Sequence, residues 1–298
     1  MDEVYLQSRL DFLLRVQNAD GGWGYFPGKQ SWMEPTVYAL LALQGHTEGR
    51  AATERAWRLL LSWQTGDGSW RPGVSVREGT WVTALGVLAA CGFNSLDGPG
   101  TRGIGWLMDM SGQESRWTVR VMSYFHFLGT DVNVNHRGWP WRPGTSAWIE
   151  PTALTVVALK KSLERRPDRS VAARAREGEE LIFSRRDHDG GWNSGNPNVL
   201  KYDLPSYPET TALALLGLQG RPREELASPL DTARRFYTGC KSSLAKAWLT
   251  IAFRCYGESL PDSGVQDFSG NPDILLCAIQ SLGVDGGNYH LLKTGSIA

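Results

Sequence analysis

Three copies of the tetrapeptide D-G-x-W, set in register with threonine-led apolar runs, restrict this chain to a repeat architecture. The copies are Asp20-Gly21-Gly22-Trp23, Asp67-Gly68-Ser69-Trp70 and Asp189-Gly190-Gly191-Trp192. Thr36, Thr83 and Thr152 each stand thirteen residues after a tryptophan: Trp23, Trp70 and Trp139. Thr211 follows Trp192 after a longer loop. Each threonine opens a run such as Thr36-Val37-Tyr38-Ala39-Leu40-Leu41, apolar on nearly every side of a helix. Upstream lie segments of another kind: Leu6, Leu10, Leu13 and Leu14 recur at helical spacing among polar residues, as do Trp57, Leu60 and Leu61. One unit is therefore an outer amphipathic helix, a Gly-Trp turn and an inner buried helix. Such a pair cannot cover its own apolar faces, so copies must pack side by side.

This pattern predicts an all-α fold, an α/α toroid of about five to six helix pairs closing into a double ring. Residues 1–298 are expected to form a single domain. Leu230–Tyr237 and Ala245–Tyr256 read as a further pair, and Pro272–Leu282 as a last inner helix. Arg116–Leu128 reads as helical, and Asp131–Gly138 as an inserted loop.

Composition excludes several function classes. Basic and acidic residues balance at 31 each, which gives no electrostatic basis for nucleic-acid binding. No run approaches a membrane span, and Met1–Tyr5 lacks the basic and apolar regions of a signal peptide. Cys91, Cys240, Cys255 and Cys277 lie far apart without C-x-x-C spacing, which favours free buried thiols and a cytoplasmic setting. There is no HExxH, P-loop or G-x-S-x-G. No cofactor is expected. His126, in Tyr124-Phe125-His126-Phe127, reads as a packing residue.

A glutamine, then D-G-x-W, then an inner Thr-Ala helix resembles the QW repeat of the squalene-cyclase and prenyltransferase family. Gln17 and Gln64 lie six residues before Trp23 and Trp70; Arg186 takes that place before Trp192. The resemblance covers nearly the whole chain and implies a barrel whose central cavity accepts isoprenoid chains. It also implies that Gln17 with Trp23, and Gln64 with Trp70, tie neighbouring repeats together. In protein prenyltransferase β subunits an Asp, a Cys and a His hold zinc. Here Thr238 replaces the Asp beside Cys240, and no His stands between Asp267 and Cys277. No metal site is expected on that ground, and protein prenylation is disfavoured.

Two residues before three of the repeat threonines stands a glutamate: Glu34, Glu150 and Glu209; in the second copy the position holds Trp81. An acidic residue in the first helical turn faces the positive end of the helix dipole, so each has an architectural reason to be there. Class II cyclases carry their acid in D-x-D-D-T-A just ahead of a similar helix; that motif is absent, and Asp187-His188-Asp189 is the nearest approach. The resemblance implies a proton donor in an apolar pocket, with aromatic faces for the cations that follow. Glu150 is the first candidate, Glu34 the second and Glu209 the third, with Trp32, Trp81, Trp148 and Tyr207 as substrate-binding aromatics. If the ring gathers the three glutamates, they would raise one another's pKa or hold a divalent cation. The partner expected is a hydrophobic isoprenoid-type small molecule, which would bring the protein to a membrane periphery. A partner subunit stays open. Two other readings stand beside the cyclase: a noncatalytic carrier or scaffold, and a carbohydrate-active toroid with paired carboxylates.

Overall fold

The computed structural model describes residues 2–115, 136–199, 202–260 and 273–297. Arg116–Leu128, His126 and most of the expected inserted loop lie outside them. The helices are α1 (Asp2–Arg15), α2 (Met33–Leu43), α3 (Arg50–Ser62), α4 (Thr83–Gly92), α5 (Thr101–Asp109), α6 (Ile149–Arg165), α7 (Arg169–Ser184), α8 (Pro208–Gly217), α9 (Arg223–Gly239), α10 (Ser243–Tyr256) and α11 (Ile274–Gly283). One short antiparallel hairpin, β1 (Asn198–Val199) and β2 (Tyr202–Asp203), interrupts the helices.

Among the described residues, six helices form the inner ring: α2 packs on α4, α4 on α6, α6 on α8, α8 on α10, α10 on α11, and α11 back on α2. Outside them run α1, α3, α5, α7 and α9. The first outer helix, α1, touches both α11 and α2 and so covers the closure. The double ring read from the sequence is present, with boundaries extended in places. The outer helix expected over Leu230–Tyr237 runs through Arg223–Gly239, and the last inner helix begins at Ile274.

The repeat motif builds one hub per unit. The side chains of Trp23, Trp70, Trp139 and Trp192 are completely or almost completely buried. Each indole N–H donates to a carbonyl of the preceding outer helix: Leu13, Leu60, Leu107 and Ile182, at 2.7–2.8 Å. Each tryptophan backbone N–H donates to the hydroxyl of Thr36, Thr83, Thr152 or Thr211, at 2.9–3.0 Å. The recurrent threonine is thus a partner for a buried backbone donor, which would otherwise cost about 1–3 kcal/mol. The aspartate of the motif accepts from the N–H two residues on, and Gly21, Gly68 and Gly190 take φ near +91° to close that turn. A Cβ at Gly21 or Gly68 would also meet backbone of the next outer helix at Arg55 or Arg102.

Gln17 donates to Gly21 O and to Ala52 O of the next outer helix; Gln64 does the same to Gly68 O and Pro99 O. Arg55 and Arg102 cap the two glutamine carbonyl oxygens. The glutamines therefore join adjacent units. One structural pair was not anticipated: Arg185 and Glu114, both buried, meet at 2.9 Å and clamp the backbone of Ala147 from both sides.

Candidate functional site at the rim of the ring

An outer helix separates α2, α4, α6, α8 and α10 from one another, so these inner helices run parallel with their N-termini at one end of the ring, and the start of α11 is tied to the same end through Tyr25. Backbone hydrogen bonds circle that rim. Met33 N donates to Pro72 O, Trp81 N to Trp141 O, Ile149 N to Ser194 O, and Ile274 N to Tyr25 O, at 2.7–3.2 Å. Each acceptor lies two residues after a hub tryptophan, so the loop of one unit covers the helix start of another.

The glutamates sit on this rim in the first turns of α2, α6 and α8. Their hydrogen-bond partners are side chains of other segments. Glu34 Oε2 accepts from the Tyr25 hydroxyl at 2.7 Å. Glu150 Oε1 accepts from the Ser194 and Thr210 hydroxyls, while its Oε2 is buried without a partner. Glu209 Oε1 accepts from Ser242, itself the N-cap of α10, at 2.9 Å. The three acids are thus strung along the rim, each on its own hydroxyl group. No group of three or more His, Cys, Asp or Glu among the described residues is arranged to hold a metal ion. The expected carboxylate cluster is replaced by a different neighbour. Burial, and then Asp273 at the start of α11, push the Glu34 carboxyl above the ordinary carboxylate range, against the opposing pull of the Tyr25 hydrogen bond. Asp273 was not anticipated; a first-turn N-cap ahead of the last apolar run was its only sequence signal.

Aromatic side chains surround the acids. Trp148 is 38% exposed and Tyr207 50%, while Trp32 and Trp81 are half-buried. Trp81 meets Trp141 edge-on at 5.0 Å. Among the described residues, seven of the eight exposed large apolar side chains lie in the loops of this end, including Tyr25 and Phe26, which makes the rim the molecule's apolar face. One turn below Glu34, Tyr38 is fully buried, edge-on to Trp248 at 5.3 Å, and its hydroxyl has no partner.

Two of the inner helices are buried almost throughout. From Val37 to Leu43 on α2, exposure does not exceed 1%, and α4 is buried from Thr83 to Cys91. A cavity of about 420 Å³ lies at the far end, between Leu163, Pro167, Ala172 and the Gly295–Ile297 tail. It touches none of the rim acids. The four cysteines are free, and burial raises all four thiols, Cys91 and Cys255 to about 12. No described helix is long and apolar enough to cross a membrane.

No family model matches the chain. A probable squalene–hopene cyclase of Sinorhizobium fredii (strain NBRC 101917 / NGR234) is 24% identical over 209 residues, covering 68% of this chain but only 30% of that protein. Among solved structures, the type II terpene cyclase MstE from Scytonema, in complex with geranylgeranyl dihydroxybenzoate, matches 94% of this chain and 76% of its own, at 16% identity and TM-score 0.55. The endo-β-1,4-glucanase CMCax from Acetobacter xylinum matches 96% and 97% at 12% identity and TM-score 0.58. A GH76 α-mannanase from Bacteroides thetaiotaomicron matches 98% and 94% at 9% identity and TM-score 0.57. The chain has the α/α fold shared by these enzymes.

Proposed function

We propose that this chain binds an isoprenoid and starts its cyclisation by protonation, with Glu34 as the donor. The observation that carries the reading is a carboxyl held toward its protonated form, at an aromatic rim, by burial and a neighbouring aspartate. The sequence likeness to a squalene–hopene cyclase and the glutamine ties between units support membership in the QW-repeat family. The order of candidates changes: Glu34 precedes Glu150, because two hydroxyls donate to Glu150 Oε1.

In the proposed step the Glu34 O–H bond breaks as the π pair of a substrate alkene takes the proton. The positive charge left on carbon is stabilised by the faces of Trp32, Trp81, Trp148 and Tyr207. Tyr25 stays hydrogen-bonded to the carboxylate that remains. The reaction ends when the cation loses a proton or takes up water. The exposed aromatic rim would also rest on a lipid surface, the natural source of such a substrate.

One observation favours a second reading. The charge of Asp273 acts on the Glu34 carboxyl beside exposed aromatics, and the two carbohydrate-active structures share the fold over nearly their whole length. A glycosidase would use the two carboxyls as acid and base.

The test is incubation of the full chain with squalene, polyprenyl diphosphates, and manno- and cello-oligosaccharides, followed by product analysis. Cyclised hydrocarbon, lost in Glu34→Gln while substrate binding persists, is the expected result. Shortened oligosaccharides would establish the second reading. Isoprenoid binding with no turnover by the wild type would leave a carrier.

A further inference from the structure

The second repeat differs from the others in the charge it brings to the rim. Three units carry Glu34, Glu150 or Glu209 ahead of the repeat threonine, whereas the second carries Trp81 there. The residue after the hub tryptophan differs as well: Gly24, Pro140 and Asn193 in three units, Arg71 in the second. Gly24 has no room for a side chain, since a Cβ would lie 2.6 Å from the Lys29 carbonyl oxygen. Asn193 turns its amide back to Asp187 and to the Asn196 carbonyl. Of the four units with a hub tryptophan, the second alone puts a cation at this place.

Eight arginines among the described residues are buried or half-buried. Seven of them meet an acid, backbone carbonyls or, for Arg9, the ring of Tyr5. Arg71 is the eighth. Its Nε is buried and has no partner, and its guanidinium makes no ion pair among the described residues. The acid of its own loop, Glu78, is taken by Arg142 at 3.0 Å. Thr80, 8% exposed, also has a buried hydroxyl without a partner. Arg71 and Thr80 adjoin one hydrogen bond, from Thr80 N to the Trp70 carbonyl oxygen at 3.1 Å. A guanidinium drawn out of water without a counter-charge is costly, and so is a buried hydroxyl left unbonded.

This loop adjoins the aromatic rim. The Pro72 carbonyl, next to Arg71, accepts from Met33 N, next to Glu34, at 2.7 Å. A Cβ at Gly73 would lie 3.1 Å from the Trp32 ring. We infer that Arg71 anchors an oxyanion subsite, which takes the phosphate or carboxylate end of the ligand while its apolar body lies over the rim aromatics. The planar fork of the guanidinium presents parallel N–H donors to two oxygens of one such group. The inference rests on the isoprenoid reading for the ligand's tail; the subsite itself rests on the unpaired Arg71.

Calorimetric titration of the full chain with farnesyl diphosphate, farnesol and inorganic pyrophosphate tests this by binding alone, without turnover. Farnesyl diphosphate should bind on the order of tenfold or more tighter than farnesol, and Arg71→Gln should reduce that preference to about twofold or less. Arg71→Lys keeps the charge without the fork and should retain part of the preference. Arg77→Gln, which removes an exposed cation of the same loop, should leave it intact. A wild type that binds the two prenyl compounds equally, or binds none of the three probes, overturns the subsite whether or not the variants fold. So does a preference that survives Arg71→Gln, or one lost equally in Arg77→Gln, since the attraction would then be diffuse. Pyrophosphate bound through Arg71, with neither prenyl compound bound, would uphold the subsite and contradict the isoprenoid reading.

Discussion

Two pentapeptides of this molecule are almost the same: Trp32-Met33-Glu34-Pro35-Thr36 and Trp148-Ile149-Glu150-Pro151-Thr152. Their threonines do one job, each accepting a hub tryptophan N–H at 2.9 Å. Their glutamates do not. Glu34 looks across the ring closure to Tyr25 and Asp273, and is held toward protonation. Glu150 looks to α8 and accepts two hydroxyls. Local sequence builds the helix start; the neighbouring unit decides what its carboxyl can do.

Exchanging the two acids should break the comparison most sharply. Under the proposed chemistry, Glu34→Gln lowers cyclisation by roughly 10²–10⁴-fold, the usual contribution of a general acid, while Glu150→Gln changes it by less than about tenfold. Product yield at saturating substrate measures both.

The hubs should respond alike where the acids differ. Trp70→Ala or Trp192→Ala removes a fully buried indole and its hydrogen bond, and is expected to cost about 3–5 kcal/mol in denaturant unfolding. Trp148→Ala, at the open rim, should stay within about 1 kcal/mol while weakening ligand binding. Next in size, Thr152→Val strands the Trp139 N–H and should cost about 1–3 kcal/mol; Thr36→Val should match it, because that part of the two units is the same.

This division explains what the sequence made legible. The hub could be read because every part of it, from Asp-Gly turn to threonine, lies within one unit and recurs. The glutamates could be found, but the order that put Glu150 first had no access to their partners, since Tyr25 reaches Glu34 from an upstream loop and Asp273 from the far end of the chain. Ser194 and Thr210 reach Glu150 from the next unit. The pairing of Glu114 with Arg185 was equally hidden, as nothing in either neighbourhood names the other. Trp81 stands just ahead of α4 and donates its N–H to Trp141 O. Yet it is Thr80 whose N–H donates to the hub carbonyl of Trp70, where Trp32, Trp148 and Tyr207 donate to Trp23, Trp139 and Trp192. Spacing from the threonine alone does not show that shift.

The smallest expected effects concern the pH limb of the reaction. A proton donor is active while protonated, so turnover falls as pH rises through the Glu34 pKa. Tyr25→Phe removes a hydrogen bond that favours the carboxylate and should move that limb to higher pH. Asp273→Asn removes a repelling charge and should move it lower, each by on the order of one pH unit or less.

The most direct test of the central claim is a carbon-13 NMR titration of the glutamate side-chain carboxyls, with Glu34→Gln used to assign its resonance. A Glu34 carboxyl titrating clearly above the ordinary glutamate value of about 4.3, and falling toward it in Asp273→Asn, is what the account predicts. A Glu34 that titrates at or below that value, untouched by Asp273, would contradict it.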